Sequence, residues 1–541
     1  MTGKERVINA LRNRETDRTA WVPFVGCHAG ALIQMSARDL LVSSDAMFRG
    51  MSEAVKRYNP DGIPVAFDLQ IEAEALGCKL VWADENPPAV VSHPLETGSL
   101  DALTVPGPEA GRFPQVLETA RRLIAAHPAV AFYGLITGPF TLALHLTGPN
   151  IFMLMYDDPD QVKRIMAFCR DVAIAAAGYY IDAGCDIIGV VDPMTSQIGP
   201  EHFEEFVTPF AQPVFAAVKK AGCLSSFFVC GHAQANIEVM CQCGPDNISV
   251  DENIPLAYVI DIAGKYGISV GGNMQLTVCL LFGSKEDCMR NAMDCMTVGG
   301  TRGFILSPGC DIPYATPPEN LEVVAALVSD PYQQEIARTL MLKAHDLEVN
   351  LDMSDYGKID KVVIDVITLD SEACAPCQYM VKAVQQVVPQ FKDLVVWREH
   401  KIKQKDSVEF MTALMVRNIP TICIDGEIVF VSRIPSRDEL IRAIQDRINK
   451  KLKRQLRQYM AKVIIVGDAN EETRLCRENV ETAIKELGVD LVVEVHTDEH
   501  ARKRFELEEI PAIITVQKTI KSSGKVPKAE IIKEWLKELR L

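Results

Sequence analysis

No stretch of this sequence carries the roughly 18 consecutive apolar residues that a bilayer-spanning helix needs, so nothing in it predicts a membrane span. Basic residues are in deficit as well: 56 Lys and Arg face 72 Asp and Glu, leaving a net charge of -16. That balance argues against a phosphate-tracking nucleic-acid surface, which needs clustered cations. The N-terminal MTGKERVINALRNRETDR places Val7, Ile8 and Leu11 at helical spacing and lacks the apolar run of a secretory signal. A cytoplasmic protein without a membrane or nucleic-acid partner is the expectation. Disorder-prone composition is also missing, since 48% hydrophobic and 24% charged residues are ordinary globular values.

Cysteine, by contrast, is abundant. In a reducing compartment the 16 cysteines read as core residues, metal ligands or catalytic thiols rather than as a disulfide lattice. A chain of 541 residues exceeds one core and should divide into two to four domains.

From Thr19 onward, eight short β-rich runs alternate with helical patterns: TAWVPFVG, GIPVAF, VAFYGLIT, CDIIGVV, LSSFFV, NISV, ISVGG and GFILS. Alternating β and α with buried strands predicts an α/β fold with a parallel sheet, and eight units predict a closed (β/α)8 TIM barrel over residues 1–350. A doubly wound open sheet is the alternative. In a barrel the reactive groups gather where strands end. Those ends read Cys27 and His28, Asp68, Gly138 and Pro139, Asp192, Cys230 and His232, Asp251 and Glu252, Asn273, and Cys310. The last is the most telling: GFIL breaks at Ser307, Pro308 and Gly309 and delivers Cys310 to a pocket rather than to a core. Cys241 and Cys243 are expected to pack at a helix end.

Beyond Asp355 the pattern changes. KIDKVVIDVITLDSEACAPCQYM is a strand followed by a Cys-x-x-Cys opening a helix, NIPTICIDGEIVFVS adds a hairpin and RDELIRAIQDRI a closing helix. The basic helix INKKLKRQLRQYMAK serves as a connector, its charge run reading as a solvated face. KVIIVGDANEETRLCRENVETAIKELG, EIPAIITVQ and AEIIKEWLKEL then repeat the unit, giving two small α/β domains over 358–450 and 460–541. In register, Cys374 falls on Thr473, Cys377 on Cys476 and Pro420 on Pro511. At a helix start the amide N–H groups and the dipole stabilise the Cys374 thiolate, and Cys377 is placed to resolve a mixed disulfide. Half a zinc knuckle with Cys423 is the alternative. With Thr473 at the nucleophile position, the second copy reads as structural.

The segments ACAPCQYM and NIPTICIDG, with their copies, resemble tandem thioredoxin-fold domains of protein disulfide oxidoreductases over residues 358–541. That resemblance implies a cis Pro420 against the Cys-x-x-Cys. Residues 1–350 resemble the uroporphyrinogen decarboxylase superfamily in KERVINALRNRETDR, AFDLQIEAEALG, TGPFTLALHLTG, CDIIGVVDP, NISVDE and SPGCDIPYATPPENL. Its decarboxylase branch implies a polycarboxylate tetrapyrrole held by an arginine-rich segment after the first strand. Here that segment is WVPFVGCHAGALIQ, with no Arg or Lys; Asp68 of AFDLQ is retained, but His145 replaces a tyrosine, and Gly309 and Cys310 replace a Gly-His.

The methylcobamide methyltransferase branch implies methyl transfer between a corrinoid protein and a thiol, such as coenzyme M, or a folate. It also implies Zn²⁺ held by a His-x-Cys after the fifth strand and a cysteine after the eighth. Cys230 and Cys310 match, Phe228 stands at the histidine position, and His232 or Glu252 is the candidate third ligand. The resemblance thus implies a corrinoid-dependent zinc-thiolate methyltransferase. Asp68 or Asp192 would handle the thiol proton, and Cys374 and Cys377 would form a redox module that keeps the barrel thiols reduced. Two alternatives are a carboxy-lyase acting on a tetrapyrrole and a thiol-disulfide oxidoreductase whose barrel binds a tetrapyrrole or corrinoid. An inactive scaffold barrel is a third.

Overall fold

All eight expected barrel strands form in the computed structural model, which describes residues 1–340, 356, 361–372, 374–414, 416, 418–460, 462–488, 491–515 and 519–538. They are β1 (Ala20–Trp21), β2 (Gly62–Pro64), β3 (Ala131–Thr137), β4 (Ile187–Val191), β5 (Leu224–Val229), β6 (Asn247–Val250), β7 (Ser269–Met274) and β8 (Phe304–Pro308). Strands buried on both faces need near-continuous apolar runs. Every residue of β3 and β4 is accordingly buried.

The order is β2-β3-β4-β5-β6-β7-β8-β1, parallel throughout. At the seam the ladder thins to one backbone bond, Asp61 N–H to the Trp21 carbonyl at 2.8 Å. The Asp61 carboxylate accepts the Trp21 N–H in return, also at 2.8 Å. The sheet is therefore a near-closed barrel, and the open-sheet alternative is set aside.

Two four-stranded sheets follow. The first contains β9 (Val362–Thr368), β10 (Val395–Lys401), β11 (Thr421–Ile424) and β12 (Glu427–Val431), in the order β10-β9-β11-β12. The second contains β13 (Lys462–Val466), β14 (Val492–His496), β15 (Ala512–Thr515) and β16 (Thr519–Ser522), in the order β14-β13-β15-β16. The shared order shows the duplication read from the sequence, and Pro420 and Pro511 both follow cis peptide bonds. One helix, Arg437–Met460, runs where a closing helix and a separate connector were expected.

The chain forms two compact units, Met1–Tyr356 with Val363–Ile441, and Gly357–Val362 with Arg442–Leu541. The first thioredoxin-type sheet thus packs with the barrel. Asn86 Nδ2 donates to Asp370 Oδ2 at 2.9 Å, Gln378 Nε2 to the Val90 carbonyl at 3.2 Å, and the Ile434 N–H to Gln197 Oε1 at 3.1 Å. The expected barrel end at residue 350 and the expected domain start at 358 lie outside the described residues.

In the second unit Val463, Ile465, Cys476 and Val480 form the core. A Cβ on Gly467 would stand 2.3 Å from Thr473 Oγ1 and 3.3 Å from Pro511 Cβ, which places the threonine beside the cis proline as the alignment requires. Among the described residues no helix is long and apolar enough to cross a membrane.

Candidate active site

The C-terminal ends of the barrel strands open on a cavity of about 130 Å³. Cys230, one residue past β5, and Cys310, two residues past β8, both line it. The Cys230 S–H donates to Cys310 Sγ at 3.0 Å. That hydrogen bond, and then burial, pushes the Cys230 thiol well up. The wall continues into the thioredoxin-type sheet, whose Cys374 and Cys377, joined as a disulfide, line the same cavity with Ile419, Pro420 and Lys403. Cys374 caps the helix α1 (Ala375–Val387) and is half-buried, whereas Cys377 inside its first turn is fully buried. The zinc-knuckle alternative is thereby corrected: both sulfurs are committed to each other, and Cys423 is buried in a separate cluster with Ile367 and Phe410.

Three carboxyl groups share the thiol wall. Asp251 accepts from the Gly231 N–H at 2.5 Å and from the Asn253 N–H at 3.0 Å, and burial lifts it to about 6. Glu252 is pushed up by burial and then by the charge of Asp251. Its Oε1 accepts the Leu276 N–H at 3.0 Å, while its buried Oε2 has no partner. Asp311 is lifted to about 8 by burial, partly offset by Lys403 and by the Gly26 and Cys27 N–H groups. Its Oδ1 is also buried without a partner. Two glycines make this crowding possible: a Cβ on Gly26 would lie 2.4 Å from Asp311 Oδ1, and one on Gly309 would lie 2.3 Å from Glu252 Oε2.

Asp68 and Asp192, the carboxylates expected to handle a proton, line no part of the cavity and are already engaged. Arg112 Nη1 donates to Asp68 Oδ2, and the Gln70 N–H to Asp68 Oδ1 at 2.9 Å. Asp192 accepts from the Phe140 and Thr141 N–H groups at 3.1 and 2.8 Å and from Thr141 Oγ1 at 2.6 Å. It thereby closes the N-terminal turn of the helix Pro139–Thr147. Both carboxylates are thus held outside the cavity lining, away from where a proton-handling group was expected.

His28 is likewise structural: its Nδ1 meets the Tyr314 carbonyl at 2.9 Å and its Nε2 the Tyr58 hydroxyl at 2.7 Å. Asn273 Nδ2 donates to the Asp251 and Ile254 carbonyls at 3.2 and 2.8 Å. Cys241 and Cys243 pack, buried, at the end of the helix Ile237–Gln242, as expected. His145 does reach the cavity, with both ring nitrogens buried and unpartnered, and burial lowers it to about 3, so the imidazole is neutral.

The donors do not assemble a zinc centre. His232 is exposed and outside the cavity, so it does not replace the missing histidine. The histidine position is filled by Phe228, whose ring stacks on Phe24 at 5.0 Å and meets Phe67 edge-on at 6.0 Å. Two thiolates on one tetrahedral zinc lie roughly 3.8 Å apart, given Zn–S bonds of about 2.3 Å. Cys230 and Cys310 are instead in direct hydrogen-bond contact. Among the described residues no three His, Cys, Asp or Glu side chains converge to hold a metal, Glu252 included.

Comparison with known proteins places this barrel. Residues 2–330 match the family described as uroporphyrinogen decarboxylase (URO-D). The chain belongs to the URO-D family. Residues 362–445 and 462–537 match the thioredoxin domain, so the URO-D barrel carries a thioredoxin-type extension. Among curated URO-D relatives, the methylcobamide:CoM methyltransferase MtbA of Methanosarcina acetivorans is 27% identical over 59% of this chain and 96% of that protein. The methylcobamide:CoM methyltransferase MtaA of Methanosarcina barkeri is 29% identical over 52% and 83%. A uroporphyrinogen decarboxylase of Trichodesmium erythraeum is 28% identical over 49% and 76%. Among solved structures, a methyltransferase from Methanosarcina mazei superposes with a TM-score of 0.58 at 23% identity, over 61% of this chain and 99% of that one. It shares the URO-D fold.

Asp311, Asp251 and Lys403 are the site residues that sequence reasoning undervalued. Asp311 could have been found, since it directly follows Cys310 in SPGCDIP. Lys403 follows β10 in another sheet, and nothing local in its sequence points to the barrel.

Proposed function

We propose that this URO-D protein is a corrinoid-dependent methyltransferase that moves a methyl group between a methylated corrinoid on a partner protein and a small thiol. The paired thiols Cys230 and Cys310 in an almost cation-free cavity carry this reading. Among the described lining residues Lys403 is the one lysine or arginine, against Glu85, Asp251, Glu252 and Asp311. A tetrapyrrole rich in carboxylates would find a single cation there, whereas a neutral thiol needs none. The kinship with methylcobamide:CoM methyltransferases supports the same side.

In this mechanism the acceptor thiol enters beside Cys310 and gives its proton to Asp311 Oδ1, the unpartnered oxygen. A carboxyl titrating near 8 sits close to the ordinary thiol range and can exchange a proton with it. The thiolate then attacks the corrinoid methyl in line, and the cobalt–carbon electron pair stays with cobalt as Co(I). His145 and Glu252 Oε2 orient the acceptor as uncharged partners. No step runs through zinc. The Cys374–Cys377 pair is the redox module of the same protein.

The test is anaerobic incubation with methylcobalamin and 2-mercaptoethanol, followed by the loss of the methyl-cobalt absorbance. Thiol-dependent demethylation, lowered at least ten-fold in Asp311→Asn, is expected. Decarboxylation of uroporphyrinogen without any methyl transfer would replace this reading with the carboxy-lyase one.

A further inference from the structure

Four of the residues lining the barrel-mouth cavity form two cysteine pairs. Cys230 and Cys310 are free thiols 3.0 Å apart, while Cys374 and Cys377 form a disulfide. Disulfide bonds span about 2.05 Å, so a shift of roughly 1 Å would couple the barrel pair. Two free thiols at that separation need little movement to form a disulfide once an oxidant reaches the cavity. Lining the same cavity is a group able to reverse it, a Cys-x-x-Cys whose first residue holds the N-cap position of a helix and whose second is fully buried in its first turn.

We propose that the cavity houses an internal dithiol-disulfide exchange in which Cys374 and Cys377 reduce a disulfide formed between Cys230 and Cys310. The Cys374 thiolate attacks Cys310 Sγ. The Cys230–Cys310 bond breaks, and Cys230 leaves as a thiolate that takes a proton. Cys377, giving up its proton, attacks Cys374 Sγ of the mixed disulfide, and Cys310 departs as a thiol. Two electrons and two protons pass from the thioredoxin-type pair to the barrel pair. An external dithiol protein then reduces Cys374–Cys377 and completes the cycle. The inference does not depend on the methyl-transfer reading, because it concerns the redox state of the thiols whatever substrate they serve.

A second close pair supplies an internal control. Cys279 and Cys288 lie 3.6 Å apart, both buried, and neither lines the cavity. The experiment oxidises the full-length chain with diamide, removes the reagent, adds thioredoxin with its reductase and NADPH, and follows each cysteine by timed alkylation and peptide mass spectrometry. If re-reduction of Cys230–Cys310 passes through Cys374, loss of Cys374 slows it. In Cys374→Ser, a half-buried and nearly isosteric change, the Cys230 and Cys310 thiols should return at least ten-fold more slowly than in wild type. The state of Cys279 and Cys288 should not differ between the two chains. In Cys377→Ser a peptide linking Cys374 to Cys310 or Cys230 should accumulate.

Equal return rates in wild type and Cys374→Ser would overturn the proposal. So would failure of wild type to form a Cys230–Cys310 disulfide under diamide. One zinc per wild-type chain after anaerobic purification, lost in both Cys230→Ser and Cys310→Ser, would also overturn it, since the two sulfurs would then be ligands and unavailable for exchange. None of these readouts measures methyl transfer.

Discussion

Phe228 packs face to face on Phe24 inside the barrel, and that ring excludes a nitrogen donor from the thiol wall. A large aromatic side chain that is 2% exposed contributes mainly through packing. Phe228→Ala should therefore cost about 3–5 kcal/mol in denaturant unfolding of the unit that holds the barrel. Asp311 contributes differently. Its carboxyl is held up to about 8 by burial, so the folded chain binds a proton there that the unfolded chain releases at about 4. Stability from this group is complete below about 4 and is lost as the pH rises through 8. Asp192, Asp251 and Glu252 shift the same way and steepen the same decline. In Asp311→Asn the thermal midpoint should exceed that of wild type at pH 8, with the difference closing at pH 4. Cys230 and Cys310 were legible because strand ends collect reactive groups. Asp68 and Asp192 met the same criterion but line no part of the cavity, because position along a strand does not reveal whether a neighbour such as Arg112 or Thr141 already holds the side chain.

The eight strands were legible as elements, since apolar runs of that length between helical patterns have few other interpretations. Their extents were not. TAWVPFVG contracts to Ala20–Trp21 because Pro23 has no N–H for the ladder and its carbonyl takes the Val25 N–H at 2.9 Å in a turn. Where a strand stops decides where its last side chain points, so the site was less legible than the fold. Asp192 ties the end of β4 to the first turn of the helix Pro139–Thr147 through three hydrogen bonds. Asp192→Asn should cost about 1–2 kcal/mol of stability, read by denaturant titration, while methyl-transfer kcat/KM stays within three-fold of wild type. Gly309→Ala should act the other way round. A Cβ there strikes Glu252 Oε2 and lies 2.8 Å from Asp251 Cα. That displaces the turn carrying Cys310, so kcat should fall at least ten-fold.

At the scale of the whole molecule the sequence showed three folded segments but not their grouping. Residues 363–441 join the barrel in one compact unit, although by descent they are half of a duplicated pair. The contacts include Tyr379, Ala375 and Ile434 packed with the barrel core, and scattered polar pairs, Asn86 with Asp370, Gln378 with the Val90 carbonyl and Gln197 with the Ile434 N–H, none of which announces a partner in the sequence. Those contacts carry a kinetic consequence. A reductant tethered over its target acts at an effective concentration set by geometry rather than by how much protein is present. In chains that start with Cys374 and Cys377 reduced and Cys230–Cys310 oxidised, a hundred-fold dilution should leave the half-time of thiol recovery unchanged, whereas a barrel served by a separate thioredoxin diluted with it would slow in proportion. A scarce enzyme would thus be repaired as fast as an abundant one.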